Sequence, residues 1–160
     1  MGIESDINIQ ALRSALEREV QKNVHRVVAS LQYIGEQVVN GIRDESLSAW
    51  VDQTGNLRSS VGYVIAIDGQ PLNMYGFQKV DGPKRGSKED PGYDSAAPRA
   101  YAQGLCSLYP KGIALIVVAG MEYAAYVEAM ENKTVLAQGE LEARRLVSEM
   151  ITELDRRYSR

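Results

Sequence analysis

Any chemistry in this chain must come from few residues, because its 160 positions include one histidine, His25, and one cysteine, Cys106. A zinc or iron–sulfur site of the thiolate and imidazole kind needs more ligands than that from a single chain. A lone cysteine also makes no internal disulfide, so the composition does not describe an oxidised, crosslinked fold. His25 falls between Val24 and Arg26 on the polar flank of a helical stretch. A general base there would need an acid partner and a concave setting, so it reads as an ordinary surface or interface residue. Cys106 stands near Leu105 and Leu108, a setting that suits a small buried hydrophobe better than a reactive thiol.

Carboxylates offer the other route. Asp52, Asp68, Glu122 and Glu128 could be assembled into a hydrolytic pair if their side chains converged at the distances such reactions set. Asp68 is already explained by a turn with Gly69, and Glu122 and Glu128 flank a tyrosine-rich segment where an ion pair to a neighbour serves equally well. No D-x-D-x-D pattern marks a divalent-cation loop, and no P-loop, G-x-G-x-x-G, H-E-x-x-H or G-x-S-x-G is present. Nine tyrosines against one tryptophan and one phenylalanine are the oddest feature of the composition. Tyr63, Tyr75, Tyr93, Tyr101, Tyr109, Tyr123 and Tyr126 fall in or beside the expected sheet. Tyrosine buries a large ring while its hydroxyl stays hydrogen-bonded, which favours protein interfaces. A stacking platform for single-stranded nucleic acid would want basic residues interleaved, and only Arg58 lies within residues 50–78.

The elements that must position these residues are legible in the apolar periods. Ile9, Leu12, Leu16, Val20, Val24, Val27, Leu31, Ile34, Val38 and Ile42 recur at steps of three and four, one face of a helix. Over residues 7–43 that helix is about 55 Å long, more than a domain of this size needs to cover its own core. Ser5 or Asp6 is expected as its cap, and Gly35 and Gly41 are expected to bend or end it. Part of the stripe is therefore expected to meet a partner helix or a neighbouring copy. Leu57 to Ile67 reads as a strand, Asp68-Gly69 as a type I′ hairpin turn, and Leu72 to Val80 as the returning strand. The apolar run Gly112 to Ala119 predicts a third strand, central or covered on both faces. Arg99 to Tyr109 reads as a short helix with Leu105 and Leu108 inward, and a second amphipathic helix starts at about Gly139. The fold class is α+β: a long N-terminal helix, a small antiparallel sheet of three to four strands, and helices, including the C-terminal one, packed on one face.

Residues 79–99 carry five basic and four acidic side chains together with Pro83, Pro91 and Pro98, which predicts a mobile loop at about 80–98 within one domain. The formal net charge of −3 and pI near 5.3 argue against a dedicated binder of nucleic-acid backbone. No stretch approaches the ~20 apolar residues of a membrane span, and MGIESDINIQ lacks the basic start and apolar core of a signal peptide. The expected location is a cytoplasm, unless the chain leaves within a larger particle.

Two segments carry a recognisable pattern. Residues 50–62, WVDQTGNLRSSVG, resemble the TG-x-L-R-x-S hallmark of the HK97 gp10-like head–tail joining proteins of tailed phages, with Thr54, Gly55, Leu57, Arg58 and Ser60 at the matching positions. Residues 120–128, GMEYAAYVE, resemble the second hallmark of that family, with Tyr123, Ala124, Tyr126, Val127 and Glu128 matching. The order also suits it: long helix, first motif, hairpin, loop, last strand, second motif, last helix. The resemblance implies a non-enzymatic, cofactor-free ring subunit of a phage or prophage neck, completing the tail and joining it to the DNA-filled head. The partners it implies are other copies of the chain, in a sixfold ring, and the neighbouring connector and tail-tube proteins. DNA at most passes through the channel, and no membrane is involved. On that reading the protein is in the host cytoplasm before assembly and in the virion neck afterwards. Leu57 is expected to anchor a strand in the core, and Arg58, facing the other way, to offer its guanidinium to Glu128 of the same or the next subunit. Two other classes stand beside this one: a small hydrolase-like enzyme using Asp or Glu with tyrosine, and a nucleic-acid adaptor acting through residues 79–99.

Overall fold

The computed structural model describes residues 8–44, 55–82, 94–120 and 137–158. The first apolar period folds as a single helix, α1, Ile9–Arg43, of 35 residues. Its cap is Asn8, whose Oδ1 accepts from the Ala11 amide at 3.0 Å, rather than Ser5 or Asp6, which lie outside the described residues. The helix also runs unbroken through Gly35 and Gly41. Gly35 is a packing notch, not a hinge: a Cβ there would lie 2.7 Å from the Tyr63 ring.

The strand expected from Leu57 begins later. Asn56–Ser60 forms a single helical turn, α2, and strand β1 starts only at Gly62, running Gly62–Ile67. Gly55, with φ of 81°, supplies the left-handed entry to the turn. The hydroxyls of Ser59 and Ser60 then donate back to the carbonyls of Gly55 and Leu57, at 2.5 and 2.7 Å. Such local bonds compete with a β ladder and favour the turn.

Asp68 and Gly69 turn the chain with φ of 49° and 79°, the positive pair that a type I′ hairpin requires. Strand β2, Gln70–Gly76, pairs antiparallel with β1, with Tyr63 opposite Tyr75. It is shorter than the expected 72–80 because Gly76 and Phe77 both take positive φ, 80° and 54°. That reversal brings the Phe77 amide to the Val61 carbonyl at 3.0 Å. The register shifts between Ile65 and Ala66, where the partners step from Asn73 to Pro71 and pass over Leu72.

Helix α3, Ala96–Cys106, starts inside the segment expected to be a loop and ends before Tyr109. Pro98 sits in its first turn, where a missing N–H costs no helical bond, and Asp94 Oδ1 accepts from the Ala96 amide at 2.8 Å. Leu105 is half-buried but Leu108, expected inward, is 68% exposed because it lies past the helix end. Residues 83–93 of the expected loop lie outside the described residues. Strand β3, Ile113–Val118, pairs antiparallel with β1, and the last helix, α4, is Ala137–Tyr158.

The sheet order is β2-β1-β3, so the centre is β1, not the apolar run that became β3. That run is nevertheless covered on both faces. Tyr63, Ile65, Leu115 and Val117 join Leu31, Ile34, Val38 and Ile42 of α1, with Leu146, Val147 and Met150 of α4 packed alongside. Val64, Ala66, Ile116 and Val118 face the other way, onto Ala102 and Cys106 of α3 and onto Phe77. Helices therefore lie on both sides of the sheet, with the C-terminal helix on the α1 side. Alternation along two strands separates the two clusters.

Candidate functional site

The first motif forms a corner where four segments meet. α2 follows Gly55, and its Leu57 is buried in the core as expected, although from a helical turn rather than a strand. Ser59 Oγ accepts from the Val80 amide at 2.7 Å, holding the chain after β2. Ser60 Oγ accepts from the Gly120 amide at 2.8 Å, holding the exit of β3. Arg43, in the last turn of α1, donates from Nε to the Arg58 carbonyl at 3.0 Å and from Nη2 to the Gln78 carbonyl at 2.9 Å. The hydroxyls of Ser59 and Ser60 are thus turned inward as fasteners. The sequence offered the right residues here but not this use, because which hydroxyl meets which amide depends on contacts 21 and 60 positions away.

Thr54 and all five matching positions of the second motif, Tyr123, Ala124, Tyr126, Val127 and Glu128, lie outside the described residues. The expected Arg58–Glu128 pair therefore lies outside them as well; Arg58 itself is half-buried on α2.

The residues considered for catalysis are scattered. His25 is exposed on α1. Cys106 is fully buried beneath the sheet, its Sγ 3.5 Å from the Ala102 carbonyl, and burial pushes the thiol pKa up. It is the small buried hydrophobe that its neighbours suggested. Asp68 Oδ1 accepts from the Gly112 amide at 2.8 Å, and its own amide donates to the Gly112 carbonyl at 2.9 Å, so the side chain clasps the start of β3 to the hairpin turn. Asp52 and Glu122 lie outside the described residues. Among the described residues, no cluster of three or more His, Cys, Asp or Glu side chains could hold a metal ion.

Tyr63 is the clearest departure from the interface reading of the tyrosines. It is 1% exposed, stacked on Tyr75 with ring centroids 5.1 Å apart, and pressed against Gly35. Burial, with Glu36 and Tyr75 nearby, drives its pKa far above the ordinary phenol value. Gln32 Nε2 donates to the Tyr75 hydroxyl at the edge of the same stack. A lone glycine in an otherwise strong helix was the signal that could have revealed this contact. Tyr33, Tyr101 and Tyr109 are exposed, while Tyr93, Tyr123 and Tyr126 lie outside the described residues.

Two clefts border the α1–α4 packing, both with more apolar than polar lining. One of about 670 Å³ lies between α1, α4 and the sheet, lined by Leu31, Leu115, Val117 and Val147, and its Glu140 and Arg144 pair with each other at 2.7 Å. A second, of about 600 Å³, follows the seam of α1 and α4, along Tyr33, Ile34, Met150 and Leu154. The charges of α4 are satisfied locally: Arg145 reaches Glu142 and Glu149 at 2.5 Å each, and Glu153 reaches Arg157 at 2.9 Å.

What stands out instead is a surface. Ile9, Leu12, Leu16 and Val20 of α1 are 76, 53, 59 and 58% exposed. They continue the face that is buried lower down the same helix, beginning with Val24 and Val27 at the edge of the core. α4 runs antiparallel to α1, from Gly139 beside Ile42 to Arg157 in the seam with Arg26. The stripe lies beyond that seam. Contiguous apolar surface on a helix marks a site of association. No family model, curated protein or solved structure matches this chain. Among the described residues, no helix is long and apolar enough to cross a membrane.

Proposed function

We propose that this chain is a structural, non-enzymatic subunit of a phage or prophage head–tail connector or tail-completion ring, joining the tail to the DNA-filled head. The observation that carries the reading is the uncovered apolar face on the first half of a 35-residue helix whose second half completes a core. A subunit built to be held by neighbours has a reason for such a face. The corner built by Gly55, Leu57, Ser59 and Ser60 supports it, because it braces the ends of α1, β2 and β3 against one another. A rigid protomer suits a ring, in which one surface of each subunit must match a different surface of the next. On this reading the partners are other copies of the chain and the adjoining connector and tail-tube proteins, with DNA passing through.

Electron microscopy of particles from a phage or induced prophage that encodes this chain tests the proposal. The expected result is density for the chain as a ring between portal and tail tube. Deleting the gene is expected to leave filled heads beside unattached tails. Normal, infectious particles after the deletion would overturn the reading.

A further inference from the structure

The uncovered stripe has a spacing that suits a second copy of itself. Ile9, Val20, Leu31 and Ile42 recur every eleven positions, close to three helical turns, so the apolar face scarcely drifts around α1. The lower part of that face is filled by the sheet and α4, and the upper part is not. Leu16 stands at the middle of the upper part, with Leu12 four residues before it and Val20 four after. An antiparallel pair with Leu16 on the two-fold axis sets Leu12 of each copy opposite Val20 of the other, and Ile9 beside Val24. The paired length ends where each protomer's own core begins.

Charge selects the direction. At 100° per residue, Arg13 and Glu17 flank the stripe on one side and Glu19 flanks it on the other. In an antiparallel pair, like flanks meet, so Arg13 of each copy approaches Glu17 of the other with an axial offset of about 3 Å. Those two attractions are set against the single approach of the two Glu17 side chains at the same offset. Both already point outward from the helix, bonded to each other at 2.9 Å, with side chains 79 and 62% exposed. In a parallel, in-register pair, opposite flanks meet and Glu17 falls beside Glu19 of the other copy, twice over. Opposite charges beside an apolar seam set orientation, and like charges reject the alternative.

We propose that the free protein is a two-fold dimer in which residues 9–24 of α1 pair antiparallel with the same residues of a second copy. The inference does not depend on the phage reading. It describes what covers the stripe when no other partner is present.

Cysteine crosslinking with sedimentation tests it, and native Cys106 does not compete because it is fully buried. Leu16→Cys is expected to form a disulfide dimer under mild oxidation. Leu12→Cys and Val20→Cys are each expected to stay uncrosslinked alone but to link when mixed. Leu16→Glu is expected to weaken self-association by at least about 30-fold, the loss of a central hot spot, while amide protection in β1 is unchanged. Leu12→Cys crosslinking with itself would show a parallel pair and overturn the proposal. So would a wild-type chain that sediments as a monomer at about 100 µM, or an oligomer in which Leu16→Cys does not link.

Discussion

Leu31, Ile34, Val38 and Ile42 in the second half of α1 are at most 5% exposed, whereas Ile9, Leu12, Leu16 and Val20 in the first half are all more than half exposed. The residue types and the period are the same in both halves. What differs is the supply of surfaces: the second half has Tyr63, Ile65 and α4 beneath it, fitted through a glycine notch at position 35. An apolar period establishes that a face will be covered, not by what. The first half stays exposed because the described elements that could cover it end before the pattern does.

The sharpest way to break this comparison is to truncate the same chemistry in each half. Ile42→Ala is expected to cost about 2–5 kcal/mol, since it opens a cavity in a closed core. Leu12→Ala is expected to stay within about 0.5 kcal/mol in dilute protein. Urea unfolding of both variants measures the difference, and equal losses would show that the two halves share one core.

A smaller loss is expected at the corner that anchors the buried half. Ser59→Ala removes the acceptor of the Val80 amide and is expected to cost about 1–3 kcal/mol. Faster hydrogen exchange at Val80, ahead of global unfolding, would mark the effect as local.

Two glycines sharpen the point further. Gly→Ala inside a helix ordinarily stabilises by about 1 kcal/mol. Gly104→Ala in α3, where nothing lies within 4 Å of the new methyl, is expected to follow that rule. Gly35→Ala is expected to reverse it, by a net loss of about 1 kcal/mol, because overpacking against Tyr63 outweighs the helix gain. A higher thermal midpoint for Gly35→Ala would refute the notch.

The smallest effect belongs to the exposed ion pairs of α4. The hydrogen bond from Arg145 holds the Glu142 carboxyl below its usual pKa. A depressed folded-state pKa stabilises above the unfolded value, about 4.3 for Glu, and the contribution disappears as pH falls through the folded value. Helicity by circular dichroism is expected to decline slightly across that acid range, and Glu142→Gln is expected to flatten the decline.

The broad fold was legible because its signals are local: a helical period in α1 and α4, paired turn residues at Asp68-Gly69, and an apolar run at β3. The parts that were not legible depend on distant contacts. Leu57 looked like a strand residue until Ser59 and Ser60 turned their hydroxyls back on their own backbone. Gly35 looked like a hinge because its partner, Tyr63, is 28 positions away in sequence and in another element. β3 looked central because apolar runs report cover on both faces, and α3 supplies that cover even at an edge. The stripe at Ile9 to Val20 could be seen in the sequence as a surplus, yet only the fold shows where the surplus begins.

Pro71 carries a consequence for how copies of this chain behave when crowded. It lies on β2, at the rim of the sheet, where the register slips past Leu72. Proline has no N–H to offer an incoming strand, and a bulge spoils the straight template that cross-β growth copies. On that side, edge-to-edge addition of a further strand is disfavoured. At this edge of the sheet, contact between crowded molecules is turned away from backbone zippering, which accepts almost any sequence.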